Sequence, residues 1–179
     1  MKQVIITGAP STGKSTLIQE LDVAGHQVYI ERARQVIETQ QSKNGTALPW
    51  IDNHRFSQLV LELQLRDLKR DVGTALSFFD RGIPDVLAYF LFYGQDHLYQ
   101  AYQSIAKEYR YHSAVYILPP WEDIYNNDAG RKESFEEALQ IDVCLRQAYE
   151  QLGYNLIQVP FANSKDRLKF ILKDLLLYK

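Results

Sequence analysis

The chain contains the stretch Gly8-Ala9-Pro10-Ser11-Thr12-Gly13-Lys14-Ser15, a complete G-x-x-x-x-G-K-S pattern. An apolar strand candidate at residues 4–7 precedes it, and a helical pattern toward Leu21 follows it. The two glycines permit backbone conformations that aim successive N–H groups inward, and the first turn of the helix adds its own unsatisfied amides. Such a concavity fits phosphate groups. The stretch therefore predicts a bound triphosphate.

Two side chains at the end of this stretch suit phosphate chemistry. Lys14 is placed to reach the β- and γ-phosphates as a point charge, and the Ser15 hydroxyl is placed to take one position on Mg²⁺. The sequence thus predicts ATP and Mg²⁺ as cofactors and assigns Lys14 a catalytic role as well. The predicted nucleotide-binding residues are Gly8, Ala9, Pro10, Ser11, Thr12, Gly13, Lys14, Ser15 and Thr16.

The composition is that of an ordinary soluble protein. The hydrophobic fraction is 46%, and 20 Lys and Arg stand against 22 Asp and Glu. Without a basic excess no global field attracts a polyanion, so nucleic acid is disfavoured as the main partner. The one cysteine excludes an internal disulfide, no apolar run reaches membrane-spanning length, and the N-terminus leaves no room for a signal peptide. These features predict a cytoplasmic protein and leave a homodimer open.

Apolar runs alternate with amphipathic stretches over the whole chain, which predicts one α/β domain, residues 1–179, with a parallel sheet covered by helices. The strand candidates are residues 4–7, 27–30, 75–79, 114–118 and 155–159. A charged, irregular segment at residues 121–134 follows the fourth strand, and its position is typical of a short lid.

Polar residues follow the second and third strands, where open α/β sheets bind their ligands. Asp80 comes after two apolar strand residues and could hold Mg²⁺ through water or could cap a helix. Glu31 could accept a proton from a substrate hydroxyl or could pair with Arg34 or Arg81. Both arginines could bind an acceptor or spread charge in the transition state. We also assign Asp85, five residues after Asp80, to the acceptor site.

The roles of two cations in the lid candidate, Arg131 and Lys132, have two interpretations. Phosphoryl transfer needs positive charge near the β- and γ-oxygens, and a closing segment can supply it, which makes Arg131 a catalytic candidate. A solvated charge run is the alternative.

These motifs together resemble the AAA_28-type predicted ATPases, a group similar to the P-loop kinases of nucleosides and nucleotides and to the ribosylnicotinamide kinase domain. The resemblance rests on residues 8–16, 31–34 and 79–82, and on residues 118–121 leading to Arg131. It implies a P-loop NTPase three-layer sandwich with strand order 2-3-1-4-5, a lid after the fourth strand and an adenine pocket near residues 160–163. It also implies Glu31 as a base, with Asp80 and Arg81 at the metal and the transferred phosphoryl group.

The functional hypothesis is a kinase that transfers the γ-phosphoryl group of ATP·Mg²⁺ in line to a small hydroxylated metabolite, nucleoside-like in character. Its acceptor would bind near Glu31, Arg34, Arg81 and Asp85. The alternative is an ATPase or nucleotide-dependent switch that acts on a protein partner.

Overall fold

Five parallel strands form the centre of the structure, a computed structural model that describes residues 2–71, 76–125 and 133–178. The strands are β1 (Gln3–Gly8), β2 (Gln27–Tyr29), β3 (Ser77–Asp80), β4 (Ala114–Leu118) and β5 (Asn155–Gln158). Their order in the sheet is β2-β3-β1-β4-β5. The predicted fold class and strand order are therefore confirmed.

Helices cover both faces of this sheet. They are α1 (Lys14–Val23), α2 (Arg32–Ser42), α3 (Asn53–Arg70), α4 (Ile83–Phe92), α5 (Asp96–Glu108), α6 (Phe135–Gln151) and α7 (Ser164–Leu175). Short 3₁₀ turns occupy Glu122–Ile124 and Leu176–Tyr178. None of the helices in the described ranges is long and apolar enough to cross a membrane.

The alternation of side chains along β1 divides the core into two layers. Val4 and Ile6 pack with α1 and α7, whereas Ile5 faces the layer that includes α3, α4 and α6. Successive residues of a strand point to opposite faces, so a strand buried on both sides is apolar throughout. This central position fixes the loop after β1 at the middle of the sheet edge.

Two boundaries differ from the sequence prediction. The polar stretch at residues 40–49, which contains Gly45 and Pro49, predicts a loop, but α2 continues to Ser42. This helix is polar and buries only Val36, so its apolar periodicity is too weak to reveal it. The third strand runs from Ser77 to Asp80 and includes the acidic residue that was placed after its end.

The predicted lid lies partly outside the described residues, and Arg131 and Lys132 lie wholly outside them.

An ion pair joins α2 to α3. The Nε of Arg32 donates to the carboxylate of Asp67, which is buried, and Nη1 donates to Gln35 at 2.7 Å. The pair holds α2 against α3, and both helices contribute to the cavity described below.

We expect Asp67→Asn to destabilise the protein, because a buried hydrogen bond between charged groups contributes about 1–3 kcal/mol. Urea denaturation would measure the change. Glu62→Gln, on the exposed side of the same helix, is the matched control and should leave stability nearly unchanged. Equal midpoints for the two variants would contradict the role of the pair.

Candidate nucleotide and acceptor site

The loop between β1 and α1 has the backbone of a phosphate cradle. Positive φ angles occur at Gly8 (149°), Ser11 (61°) and Gly13 (87°). A Cβ added to Gly8 would lie 2.4 Å from the carbonyl oxygen of Leu118, so the close approach of β4 requires glycine there. The loop is thus shaped by the sheet beneath it as well as by its own sequence.

Lys14 lies inside this loop. Its buried Nζ donates to the carbonyl oxygens of Gly8 at 2.8 Å and Ala9 at 2.7 Å, and the Thr12 hydroxyl donates to Ala9 at 3.0 Å. Ser15 follows in the first turn of α1 with its side chain exposed. The ammonium group, the hydroxyl and the helix N-terminus therefore converge where phosphates and a metal ion would be held.

Arg167 supports the loop from α7, and the sequence did not identify it. Its Nη1 donates to the carbonyl oxygen of Thr12 at 2.8 Å, and its Nε donates to that of Pro160 at 3.2 Å. The side chain is only 2% exposed, and burial lowers its pKa. A Cβ on Gly13 would lie 3.0 Å from Nη1, so this glycine makes room for the guanidinium.

Aromatic residues surround the same arginine on its outer side. The Trp121 ring lies 5.2 Å from the Arg167 guanidinium and 5.3 Å from the Phe161 ring, which is half exposed. Phe161 belongs to the segment after β5 that was associated with adenine through the family resemblance.

Asp80 occupies the end of β3 beside the loop, where it is in register with Ile6 of β1. Burial and the nearby Glu31 carboxylate raise the pKa of Asp80 to about 6, although Lys14 and Arg81 oppose that shift. Its Oδ1 is buried and has no hydrogen-bond partner. An orphaned carboxylate oxygen at this point fits a Mg²⁺ ion or its water.

The described residues contain no cluster of three or more His, Cys, Asp or Glu side chains that could hold a metal ion.

Arg81 follows Asp80 and is the centre of a buried ion-pair network. Its backbone has a φ of 68°, a strained value for a residue with a side chain. Nε donates to Glu31 at 2.9 Å, and Nη1 donates to Asp85 at 3.0 Å. Burial alone lowers the pKa of Arg81, but Tyr89, Glu31 and Asp85 raise it well above its ordinary value. Of the two partners considered for Glu31, the structure selects Arg81.

Asp85 holds this network in place. Its carboxylate accepts hydrogen bonds from Thr7 at 2.6 Å, from the backbone of Gly82 at 2.9 Å, and from Tyr149 of α6. With Arg81 these donors occupy both oxygens. Asp85 also lines the cavity described below, but its contacts are those of a residue that positions Arg81.

A cavity of about 610 Å³ opens beside the loop, between α2, α3 and α4. Pro10 of the loop lines it, and so do the predicted acceptor residues Glu31, Arg34, Arg81 and Asp85. Arg34 is exposed, with no ion pair inside the described part of the chain. The sequence-predicted residues of the β2 and β3 ends thus come together at one place.

Other cavity residues were missed, or were only suspected, from sequence. His54 and Arg55, for which the sequence allowed either an acceptor pocket or the surface, do not line the cavity, whereas the nearby Trp50 does. Gln64 of α3 was not considered; it is 5% exposed, and its Oε1 has no hydrogen-bond partner. A polar residue on the buried side of an amphipathic helix was the available signal. Further aromatic lining residues are Phe56, Tyr89, Phe92 and Tyr93.

Comparison with solved structures finds the same fold in several kinases. Deoxyadenosine kinase from M. mycoides, with the products dCMP and dCDP, has a TM-score of 0.68 at 16% identity, covering 99% of this chain and 100% of that one. The NadR protein in complex with NR has a TM-score of 0.71 at 17% identity, covering 96% of this chain and 49% of that one. Thymidylate kinase from Candida albicans has a TM-score of 0.63 at 15% identity, covering 99% and 91%. Identities this low establish the fold alone.

A search of curated proteins found no match. The family model described as the AAA domain matches residues 3–167, nearly the whole chain. The sequence-based family assignment is therefore confirmed, and the chain belongs to this AAA domain family.

Proposed function

We propose that the protein transfers the γ-phosphoryl group of ATP·Mg²⁺ to a hydroxyl group of a small, ring-bearing metabolite. The single observation that carries this proposal is the cavity bounded by Pro10 of the phosphate loop on one side and by Glu31 and Arg81 on another. A molecule in this cavity would lie next to the phosphates that the loop is shaped to bind. A nucleotide switch has no need of a cavity of this size at that position.

The donor side has one set of groups for each part of ATP·Mg²⁺. The amides of the loop and Lys14 would hold the phosphates, and Ser15 and Asp80 would hold Mg²⁺. The metal, when bound, neutralises charge on the phosphate oxygens. Phe161, which packs against Trp121, offers an exposed aromatic ring on which the base could stack, next to an arginine that contacts the loop.

The acceptor side is formed by the Arg81 network. Glu31 would accept a hydrogen bond from the reacting hydroxyl, which orients it, and the Arg81 guanidinium would lie near the oxygens that gain charge. Asp85 fixes the arginine and keeps it from rotating away. Arg131, outside the described residues, stays a candidate for closing over the phosphates.

Gln64 supplies a polar contact at the apolar part of the cavity. Its carboxamide is buried among Val60, Phe56 and Val86, with one atom unpaired. A buried unpaired amide costs free energy that a ligand can recover by hydrogen bonding to it. This supports an acceptor whose ring carries donor and acceptor groups, as nucleosides do.

The direct test follows phosphorus-31 spectra of ATP, Mg²⁺ and a panel of nucleosides and vitamin-like alcohols with the purified protein. The expected result is a new phosphate ester that forms in step with ADP. If every mixture gives only inorganic phosphate, the kinase function is wrong and the nucleotide-dependent switch takes its place.

Replacing Lys14 should abolish most of the activity. We expect Lys14→Ala to lower kcat by about 10²–10³-fold, because a cationic contact to the transferred group is lost. Steady-state ADP release measures this, and Lys169→Ala, at an exposed site on α7, is the control. Near-normal turnover in Lys14→Ala would contradict the assignment.

Asp80→Asn should stabilise the protein in the absence of magnesium. The raised pKa of about 6 means that the ionised carboxylate is disfavoured in the folded state. Wild-type stability is therefore reduced above pH 6. That loss shrinks as the pH falls and disappears near about pH 3, where the carboxyl is protonated in both the folded and the unfolded state.

The expected gain is about 1–3 kcal/mol near pH 7.5, falling to almost nothing near about pH 3. Denaturation at both pH values measures it, with the exposed Asp22→Asn as control. Binding of magnesium nucleotide should weaken in the same variant. A loss of stability in Asp80→Asn at pH 7.5 would contradict the interpretation that the Asp80 carboxylate is buried at this position in order to bind a ligand.

Gln64→Leu should weaken the acceptor without harming the fold. Because the leucine removes an unpaired buried oxygen, stability should stay the same or rise, while the acceptor KM rises about tenfold. Gln58→Leu on the same helix, outside the cavity, should leave KM nearly unchanged. Equal KM values for both variants would remove Gln64 from the site.

A further inference from the structure

The charged groups around the acceptor cavity are unequal in number. Carboxylates outnumber arginines by five to three among the described residues that line it. The carboxylates are those of Glu31, Glu38, Asp85, Glu133 and Glu137, and the arginines are Arg32, Arg34 and Arg81.

Two of the three arginines already have anionic partners. Arg32 is paired with Asp67, which lies outside the cavity lining, and Arg81 is paired with Glu31 and Asp85. A guanidinium whose donors face carboxylates has less of its charge available to a ligand. Only Arg34 lines the cavity without an ion pair inside the described part of the chain.

Two of the remaining carboxylates lie near tyrosine side chains that also line the cavity, and they act on these tyrosines electrostatically. Glu133 and Glu137 stand at the start of α6, and Glu38 is exposed on α2. Burial raises the pKa of Tyr93, and the charges of Glu133 and Glu137 raise it further. The same Glu133 charge acts on Tyr89, which faces the Arg81 guanidinium. The negative charges of Glu133 and Glu137 therefore act on tyrosines that line the cavity, beside which a bound ring would lie.

From this balance we infer that the acceptor carries no negative charge: the cavity takes an uncharged or cationic ring-bearing alcohol and rejects a phosphorylated or carboxylated one. This inference rests on the proposed kinase function and narrows its substrate class. A phosphorylated acceptor would need a fork of unpaired arginines, and it would meet the repulsion of Glu133 and Glu137. A cationic ring would be stabilised by the same carboxylates and by the aromatic side chains of Trp50 and Phe56, which line the cavity.

The test compares alcohols of one shape and different charge. Nicotinamide riboside is a cation, and nicotinic acid riboside has the same pyridinium ring and hydroxyl groups with a carboxylate in place of the carboxamide. A neutral nucleoside and its 5′-monophosphate form the second pair. For each compound, kcat/KM as an acceptor and the inhibition constant against the preferred acceptor are measured. We expect the uncharged or cationic member of each pair to be favoured by about tenfold or more, since removing one adverse contact of this kind is enough for that ratio.

A charge-removing variant separates electrostatics from shape. Glu133→Gln with Glu137→Gln removes two charges at the cavity, and glutamine at 137 can still accept the hydrogen bond from the Ser134 backbone that closes the helix cap. The matched control is Glu136→Gln with Glu150→Gln, two exposed positions on α6 that do not line the cavity.

In the cavity variant the preference against the member of each pair that carries the carboxylate or phosphate should shrink about fivefold. This ratio is what the loss of two charges acting across roughly 8 Å of partly aqueous space would give. The effect should fade in about 0.5 M salt, which a purely structural change would not do. The control variant should behave as the wild type does in both buffers.

Two results overturn the inference, and they differ from each other. If the monophosphate or the carboxylated riboside is used as well as its partner, the kinase function stands and the charge rule is wrong. If no compound is phosphorylated and none competes, the proposed function itself fails and the inference fails with it. An unchanged preference in the cavity variant would also contradict the role of Glu133 and Glu137.

Discussion

The buried guanidinium of Arg81 is the interaction on which the site depends. It lies at the end of β3, and its two carboxylate partners begin α2 and α4, so one cation joins three elements. A buried charge is tolerated only when it is paired, and removing one partner of such a pair typically costs several kcal/mol. The positive φ of Arg81 adds strain that these contacts must offset. Asp85 extends the same network to Thr7 of β1 and to Tyr149 of α6. The ends of the strands, and therefore the walls of the cavity, are held in register by this group.

The phosphate loop depends on a second, independent support. Its own sequence supplies the glycines and Lys14, but the loop also needs β4 close beneath Gly8 and Arg167 against Thr12 and Gly13. Arg167 is buried with carbonyl partners and one unpaired Nη2, and it has no carboxylate partner in the described part of the chain. A nearby phosphate would lessen the cost of burying that charge.

What the sequence could predict follows from how local each signal is. The loop of residues 8–15 and the five strands are encoded in short windows, by glycine spacing and by apolar runs, so they were found. Asp80 and Arg81 were found because they follow a strand directly. Arg167 lies more than 150 residues from Thr12, whose carbonyl it binds, and no local pattern marks such a contact. Helix α2 was missed because it buries one residue, so its stability comes from the Arg32–Asp67 pair and from packing on α3. Gln64 could be recognised only once the cavity beside it was known.

The pairing of Glu31 with Arg81 bears on the kind of catalysis that the site can perform. A carboxylate that shares its charge with a guanidinium at 2.9 Å is a weaker proton acceptor than an isolated one. A strong base is not needed here, because phosphoryl transfer passes through a loose transition state in which the attacking hydroxyl has formed little of its new bond. What the reaction needs is orientation of the hydroxyl and positive charge near the phosphoryl oxygens. In the proposed reaction the pair would supply both: Glu31 would align the acceptor, and Arg81, held by Asp85, would lie near the developing charge. The geometry therefore favours Glu31 as an orienting hydrogen-bond acceptor whose proton uptake follows bond formation rather than preceding it.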